Sequence, residues 1–189
     1  MDLHATIMSN MEDSEVIGYI DSHLHEINVI DEFHQSPLHL AALTNRPKIV
    51  DKLLQCGAYG TCDIKENTPL HIAAQDGYNA VVDEILKSCD YIELRNCDQW
   101  TALHLAAKNK HYEILKKLIA YTDINILGGY DDRTILHIAC ANNDLYLVRL
   151  LIKYNCNINA LTFNCLFPAD MTDNEFILKE LNDAEYNAP

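Results

Sequence analysis

The stretch Thr68 to Ala74 reads TPLHIAA, and close copies of it recur along the chain: Ser36 to Ala42 (SPLHLAA), Thr101 to Ala107 (TALHLAA) and Thr134 to Ala141 (TILHIACA). Successive copies begin 32, 33 and 33 positions apart. Repetition at so regular an interval means that one supersecondary unit is used several times over. The chemistry of the unit is that of a helix start. Thr or Ser occupies the N-cap, where its side-chain oxygen satisfies an orphan backbone N–H. Pro37 and Pro69 follow at the first helical position, where a missing N–H costs nothing. Leu-His-Leu-Ala-Ala continues a short helix, and the paired alanines let neighbouring copies approach closely.

Beyond each copy lies a second apolar patch at helical spacing: Ile49, Val50, Leu53, Leu54; then Val81, Val82, Ile85, Leu86; then Ile114, Leu115, Leu118, Ile119; then Leu147, Val148, Leu151, Ile152. These positions predict a second helix per unit with one buried face. A single hairpin of this kind cannot bury its own apolar side, so stacking of units must make the core. A period of 33 carrying T-P-L-H-x-A resembles the ankyrin repeat, a turn followed by two antiparallel helices. The expected fold is all-α: an ankyrin-repeat solenoid of helix-turn-helix units with degenerate end caps.

The pattern divides the chain into a disordered leader (1–13), one ankyrin-repeat domain (14–181) and a polar tail (182–189). Within the domain the spacing predicts an N-terminal cap at 14–30, whose helix carries Val16, Ile17, Ile20 and Leu24. Repeats follow at about 31–62, 63–95, 96–127 and 128–161, and a C-terminal cap at 162–181. Asn45 and Gly77 suit the left-handed turn between the two helices of their units, and Pro47 the start of the next helix. Gly128-Gly129 lengthens the loop into the last full repeat. In the cap, Phe167-Pro168-Ala169-Asp170 stands where TPLH should be, and Phe176, Ile177, Leu178 and Leu181 predict a short final helix.

The chain has 189 residues, 49% of them hydrophobic, enough for a substantial core. No apolar run has the length of a membrane span, and the first residues lack the pattern of a signal peptide. An intracellular protein is expected, cytoplasmic, with a nuclear location left open. Seven cysteines without a C-x-x-C pair read as free thiols packed as small apolar groups. With 14 basic and 28 acidic residues the formal charge is −14, which repels nucleic acid and anionic lipid and favours a basic protein partner.

Chemistry-bearing constellations are sparse. His39, His71, His104 and His137 each belong to their own repeat and read as hydrogen-bonding parts of the turn. His23-x-His25 has no third metal ligand placed by any pattern, and adjacent carboxylates such as Asp131-Asp132 read as solvated. No phosphate loop, nucleophile elbow or metal-protease motif is present, so no catalytic residue, cofactor or metal is expected. Binding is the expected activity, through loop tips and the ends of the inner helices. The residues there that the scaffold does not require are Phe33, Ile64, Lys65, Gln75, Asp76, Asp98, Trp100, Lys108, Asn109, Tyr130, Asp131, Arg133, Asn142 and Phe163. Phe33, Trp100, Tyr130 and Phe163 put one aromatic on each of four loops, and aromatics and Arg are enriched at binding hot spots.

Gln35 to Leu54, QSPLHLAALTNRPKIVDKLL, resembles the inhibitor-of-NF-kappa-B (I-kappa-B) repeat that carries a TN-x-P-x-I turn. Asp131 to Asn159 is similar to that family's fifth repeat, with its longer loop before Arg133-Thr134, and Glu15 to Leu38 to the segment before its second repeat. The resemblance spans about residues 15–172 and implies binding of Rel/NF-kappa-B dimers by a chain that is monomeric when free. The family uses loops and inner helices against the dimerisation domains and its first repeats against the nuclear-localisation segment. No counterpart of the first half of its first repeat is read here, which argues against capture of that segment. Nor is there an Asp-Ser-Gly-x-x-Ser phosphodegron, since Asp13-Ser14-Glu15 and Asp21-Ser22-His23 lack the Gly and the second Ser. No Ser follows Ser88, and Pro189 is the only proline after Pro168. Such a core is similar to the viral I-kappa-B mimics of polydnaviruses, the vankyrins, which implies a degradation-resistant suppressor of host immune signalling. The alternative is an ankyrin adaptor or scaffold for an unrelated protein.

Overall fold

The computed structural model describes residues 2–88 and 91–186. Cys89 and the end of the expected tail, 187–189, lie outside the described residues. The chain forms two compact units, Met1–Cys97 and Asp98–Pro189. The first holds α1 (Leu3–Met8), α2 (Asp13–Ser22), α3 (Pro37–Leu43), α4 (Pro47–Gln55), α5 (Pro69–Asp76) and α6 (Asn79–Leu86). The second holds α7 (Ala102–Lys108), α8 (Tyr112–Ile119), α9 (Ile135–Ala141), α10 (Leu145–Lys153) and α11 (Glu175–Tyr186). Short 3-10 turns occupy Leu24–Glu26 and Pro168–Met171. Among the described residues the only β geometry is an isolated bridge between Gly128 and Arg133.

The inner helices α3, α5, α7 and α9 start as their sequence dictates. The N-cap backbone N–H of Ser36, Thr68 and Thr134 donates to Nδ1 of the histidine three residues on, at 3.1 Å in each case. This is a capping box in which His takes the place usually held by Glu or Gln. The other ring nitrogen, Nε2, donates to a backbone carbonyl ahead of the next unit: His39 to Asn67 at 3.0 Å, His104 to Arg133 at 3.0 Å and His137 to Leu166 at 3.1 Å. A carbonyl only accepts, so Nε2 carries the hydrogen, and because Nδ1 accepts from the N-cap N–H, His39 and His137 are neutral imidazoles. Burial pushes the His39 and His137 pKa values below the ordinary 6.5, against the opposing effect of these backbone hydrogen bonds.

The outer helices bury three of each predicted four: Ile49, Val50 and Leu53; Val81, Val82 and Ile85; Ile114, Leu115 and Leu118; Leu147, Val148 and Leu151. Leu54, Leu86, Ile119 and Ile152 are half-buried. Asn45 and Gly77 take the expected left-handed conformation at φ 51° and 81°. Across α8 and α10, Tyr112 donates its hydroxyl to Asp144 at 2.7 Å, and burial followed by that hydrogen bond pushes the phenol up to about 12.

Both chain ends are more ordered than the sequence reading expected. The presumed leader holds α1, with Leu3, Thr6 and Ile7 buried and Asp2 accepting from the Ala5 N–H at 2.8 Å. His4 reaches the Gln35 carbonyl at 2.9 Å, as the later histidines reach theirs. Leu3-His4 is thus one more copy of the motif's Leu-His pair, unaccompanied by the Thr-Pro start and the alanine pair. The missing first half-repeat is supplied by α1. Arg46 clamps it: the guanidinium donates to the Ile7 and Met11 carbonyls at 3.0 and 2.6 Å and to Asp13 at 2.9 Å.

The helix expected to run through Leu24 stops at Ser22, where the His23 ring stacks on Tyr19 with centroids 3.8 Å apart, and Leu24 is 51% exposed. At the other end α11 continues to Tyr186 instead of ceding to a tail at 182. It buries Ile177 and Leu181, whereas Phe176 is 70% exposed at its start.

Ala73 is fully buried on α5, so Ala73→Leu is expected to overpack the inner helices at a cost of about 1–3 kcal/mol. A thermal melt should show a drop of several degrees, and an unchanged Tm would contradict this packing. A second expectation concerns pH. Because folding depresses the His39 and His137 pKa values, the unfolded chain binds more protons below about 6.5. The stability these residues contribute is complete above 6.5 and is lost as pH falls toward their depressed folded values. Melting curves between pH 8 and 5 should show a plateau and then a decline, and a Tm flat across that range would refute the neutral-imidazole assignment.

Candidate protein-binding surfaces

The loops before α3 and α5 are each built on one polar side chain. Asp31 Oδ1 accepts the N–H groups of Phe33 and Gln35, and Asp63 Oδ1 those of Lys65 and Asn67, all at 2.8 Å. His34 and Glu66 then turn left-handed, at φ 57° and 59°. Successive tips are pinned to one another: Ile64 N–H to the Phe33 carbonyl at 3.1 Å, and Cys97 N–H to the Lys65 carbonyl at 2.9 Å. This order lets the side chains of Phe33, Ile64 and Lys65 project as an ordered row.

In the first unit these tips and the ends of α3 and α5 enclose a groove of about 420 Å³. It gathers five of the expected residues, Phe33, Ile64, Lys65, Gln75 and Asp76, together with Leu43 and Ile72. Phe33 and Ile64 are 52% and 57% exposed, a large apolar area for loop residues. Asp63 and Ile72 were not anticipated. Ile72 occupies the motif position that is buried in the other repeats as Leu40, Leu105 and Ile138, so nothing in the pattern marks it as accessible.

In the second unit six expected residues, Asp98, Trp100, Lys108, Tyr130, Asp131 and Arg133, line a hollow of about 460 Å³. Tyr130 is 74% exposed, but Trp100 is half-buried and is not the free loop aromatic the sequence suggested. Its ring lies 5.5 Å from that of His104, and a Cβ on Gly129 would stand 2.4 Å from Trp100 Cη2. Gly129 also has φ +72°, and a Cβ on Gly128 would stand 2.6 Å from the His104 ring. Both glycines are therefore required by the rings beneath them as well as by the loop. That loop is not the lengthened one the two glycines suggested, since 120–134 matches 87–101 before α7 in length, and it is closed by paired hydrogen bonds of 2.8 Å between Gly128 and Arg133. Arg133 binds Asp131 at 2.9 Å, and Lys108 Nζ lies 5.8 Å from the Trp100 ring centre.

Three expected residues lie in neither place. The Asn109 side chain bonds the Leu105 carbonyl of its own helix at 2.9 Å, Asn142 ends α9 in an exposed position, and Phe163 is 76% exposed on its loop. The two units differ in charge. Residues 1–97 carry 16 acidic and six basic side chains, residues 98–189 twelve and eight, for net charges of −10 and −4. Of the described cysteines, Cys62, Cys97 and Cys165 are exposed near loop tips, whereas burial pushes the Cys140 and Cys156 thiols up to about 12. Among the described residues no group of three or more His, Cys, Asp or Glu could hold a metal ion, and no helix is long and apolar enough to cross a membrane.

The family description "Ankyrin repeats (3 copies)" matches three overlapping stretches, residues 3–93, 38–127 and 70–162. Among solved structures, the ankyrin repeat domain of Bcl-3, described as a unique member of the IkappaB protein family, aligns with a TM-score of 0.88 at 25% identity. The alignment covers 97% of this chain and 86% of that one. No curated protein matches the chain. With matched residues running from the Leu3-His4 copy of the motif to the last full repeat, the chain belongs to the ankyrin-repeat family, whose domains are protein-interaction modules.

Proposed function

We propose that this chain is a non-enzymatic inhibitor of Rel/NF-kappa-B transcription factors, an I-kappa-B mimic that holds a Rel dimer stoichiometrically and keeps it from the nucleus or from DNA. The observation that carries the reading is the groove of the first unit. Its apolar floor of Phe33, Leu43, Ile64 and Ile72 lies in a unit of net charge −10, a combination suited to a basic amphipathic segment. The likeness to the Bcl-3 domain, together with the TN-x-P turn at Thr44 to Pro47, supports the same reading. With α1 completing the first helix pair, the argument from sequence against engagement of the nuclear-localisation segment loses its basis.

The exposed groove residues supply the test. Phe33→Ala and Ile64→Ala are surface changes expected to alter stability by no more than about 0.5 kcal/mol. If they are anchors, the pair should weaken binding to a purified Rel-homology dimer by about 2 kcal/mol or more, and added salt should weaken it further. Titration calorimetry of the folded double variant decides: unchanged affinity moves the interface elsewhere, and no binding by the parent chain removes the Rel assignment. The viral-mimic reading adds an expectation in cells. With no paired-serine signal in these 189 residues, the chain should persist through immune stimulation while the cell's own inhibitor is degraded. A cycloheximide chase read by immunoblot alongside a Rel-driven reporter tests this, and rapid stimulus-dependent loss of the chain would sink it.

A further inference from the structure

The last position of the histidine series in the second unit is held by a carboxylate. Asp170 stands 33 residues after His137, and its Oδ2 accepts the N-cap N–H of Phe167 at 2.8 Å, as the histidine Nδ1 accepts from Thr134. The link onward is inverted. His39, His104 and His137 each present an N–H to a carbonyl of the following repeat, whereas an ionised carboxylate can only accept. Apolar surface lies open around this turn: Leu166 and Phe167 are 41% and 43% exposed, and Phe176, its N–H held by Asn174 Oδ1 at 3.0 Å, is 70% exposed. The segment from Asp170 to Asn174, with Asn143, lines a hollow of about 620 Å³ whose only charged groups are Asp170 and Asp173. Residues 162–186 carry six acidic side chains and one basic, a net charge of −5, and the ion pair of Glu180 with Arg149 at 2.7 Å neutralises one of the six. Asp170, Asp173 and Glu175 form no ion pair among the described residues.

We propose that this cap is a docking site for a basic, amphipathic helix of a partner protein, with a Lys or Arg of the helix at Asp170 and Asp173 and its apolar side on Phe167 and Phe176. Charge and hydrogen-bonding sense select the occupant together. The hollow offers two carboxylates and no cation, so a charged donor completes it, whereas an acidic segment, a phosphoryl group or a nucleic acid is repelled. A second copy of this chain would bring the same −5 to the same face, or −10 through its first unit, and is disfavoured on the same ground. A helix suits the cap because the Pro168–Met171 turn and α11 pack on α9 and α10 as a further repeat would, and their far side is where helical repeats stack. The site lies wholly in the second unit and does not depend on what the groove of the first unit binds.

The test is an NMR titration of the isotopically labelled full chain with a synthetic Lys/Leu peptide whose leucines fall at i, i+3, i+4 and i+7. Gln/Leu and Glu/Leu peptides of the same spacing run in parallel. The Lys/Leu peptide should shift the amides of 165–177 saturably and bind less tightly at high salt; the Gln/Leu peptide should bind there at least about tenfold more weakly, and the Glu/Leu peptide not at all. Asp170→Asn, which keeps an acceptor for the Phe167 N–H, and Phe176→Ala should each weaken binding at the cap by about tenfold or more. Both should leave any shifts at Phe33 and Ile64 unchanged. Asp173→Asn, which removes no hydrogen bond of the described residues, should weaken it in the same sense and serves should Asp170→Asn loosen the turn. Shifts confined to Phe33–Asp76 would report the first groove alone and would overturn the cap proposal without touching the reading of that groove. The proposal also fails if the folded variants bind like the parent or if the Gln/Leu peptide binds as tightly. Cap amides that shift on concentrating the chain alone would make a second copy the occupant and overturn it as well.

Discussion

The imidazole of His39, His104 and His137, which links one repeat to the next within a unit, is the interaction on which the architecture depends. One ring nitrogen accepts from the N-cap of its own helix and the other donates to a carbonyl ahead of the following helix, so a single side chain closes a local turn and a 28- or 29-residue connection together. A buried polar ring is tolerated because both nitrogens are satisfied, and it is neutral because the Nδ1 that accepts from a backbone N–H carries no hydrogen. The Ser or Thr at the N-cap holds the same ring, its hydroxyl 2.9 Å from Nδ1 in His39 and 2.8 Å in His137. Disruption at one link is felt chiefly by its neighbours, as expected of a structure stabilised pairwise along its length.

With the backbone fixed in this way, loop tips and inner-helix ends are released from structural duty and can diverge. The two units have diverged differently. The groove between Phe33 and Asp76 has an apolar floor and acidic surroundings, whereas the hollow around Trp100 sets aromatic rings beside cations. One chain thus offers two chemistries from a single repeated plan, and neither requires a catalytic group.

Much of this was legible in the sequence, because cap residues, apolar spacing and turn residues act locally. The four inner helices begin where their Ser or Thr caps stand, and the outer helices bury the positions their spacing marks. What escaped was set by distant partners. The helix at Leu3–Met8 carries only the Leu-His fragment of the motif, and it is clamped in part by Arg46, whose bonds to the Ile7 and Met11 carbonyls leave no trace in side-chain spacing. Gly128 and Gly129 could be read as a longer loop, but not as clearance for the rings of His104 and Trp100. The candidate surfaces were legible as residues the scaffold does not need. Their grouping was not, since Asn109 turns back onto its own helix and Ile72 becomes accessible at a position that is otherwise core.

The thiols give the molecule an uneven chemical reactivity. Thiolate is the nucleophile in alkylation and oxidation, so Cys140 and Cys156, held protonated by burial, are slow toward both. Cys97 and Cys165 stand in solvent near the loop tips instead, whereas partial burial, with Asp63 and Glu66 nearby, pushes the thiol of the exposed Cys62 up. A maleimide dye or spin label would therefore favour Cys97 and Cys165, on the candidate binding loops, over Cys140 and Cys156. The same positions are where an oxidising environment would first add a charged sulfur acid to the candidate surfaces.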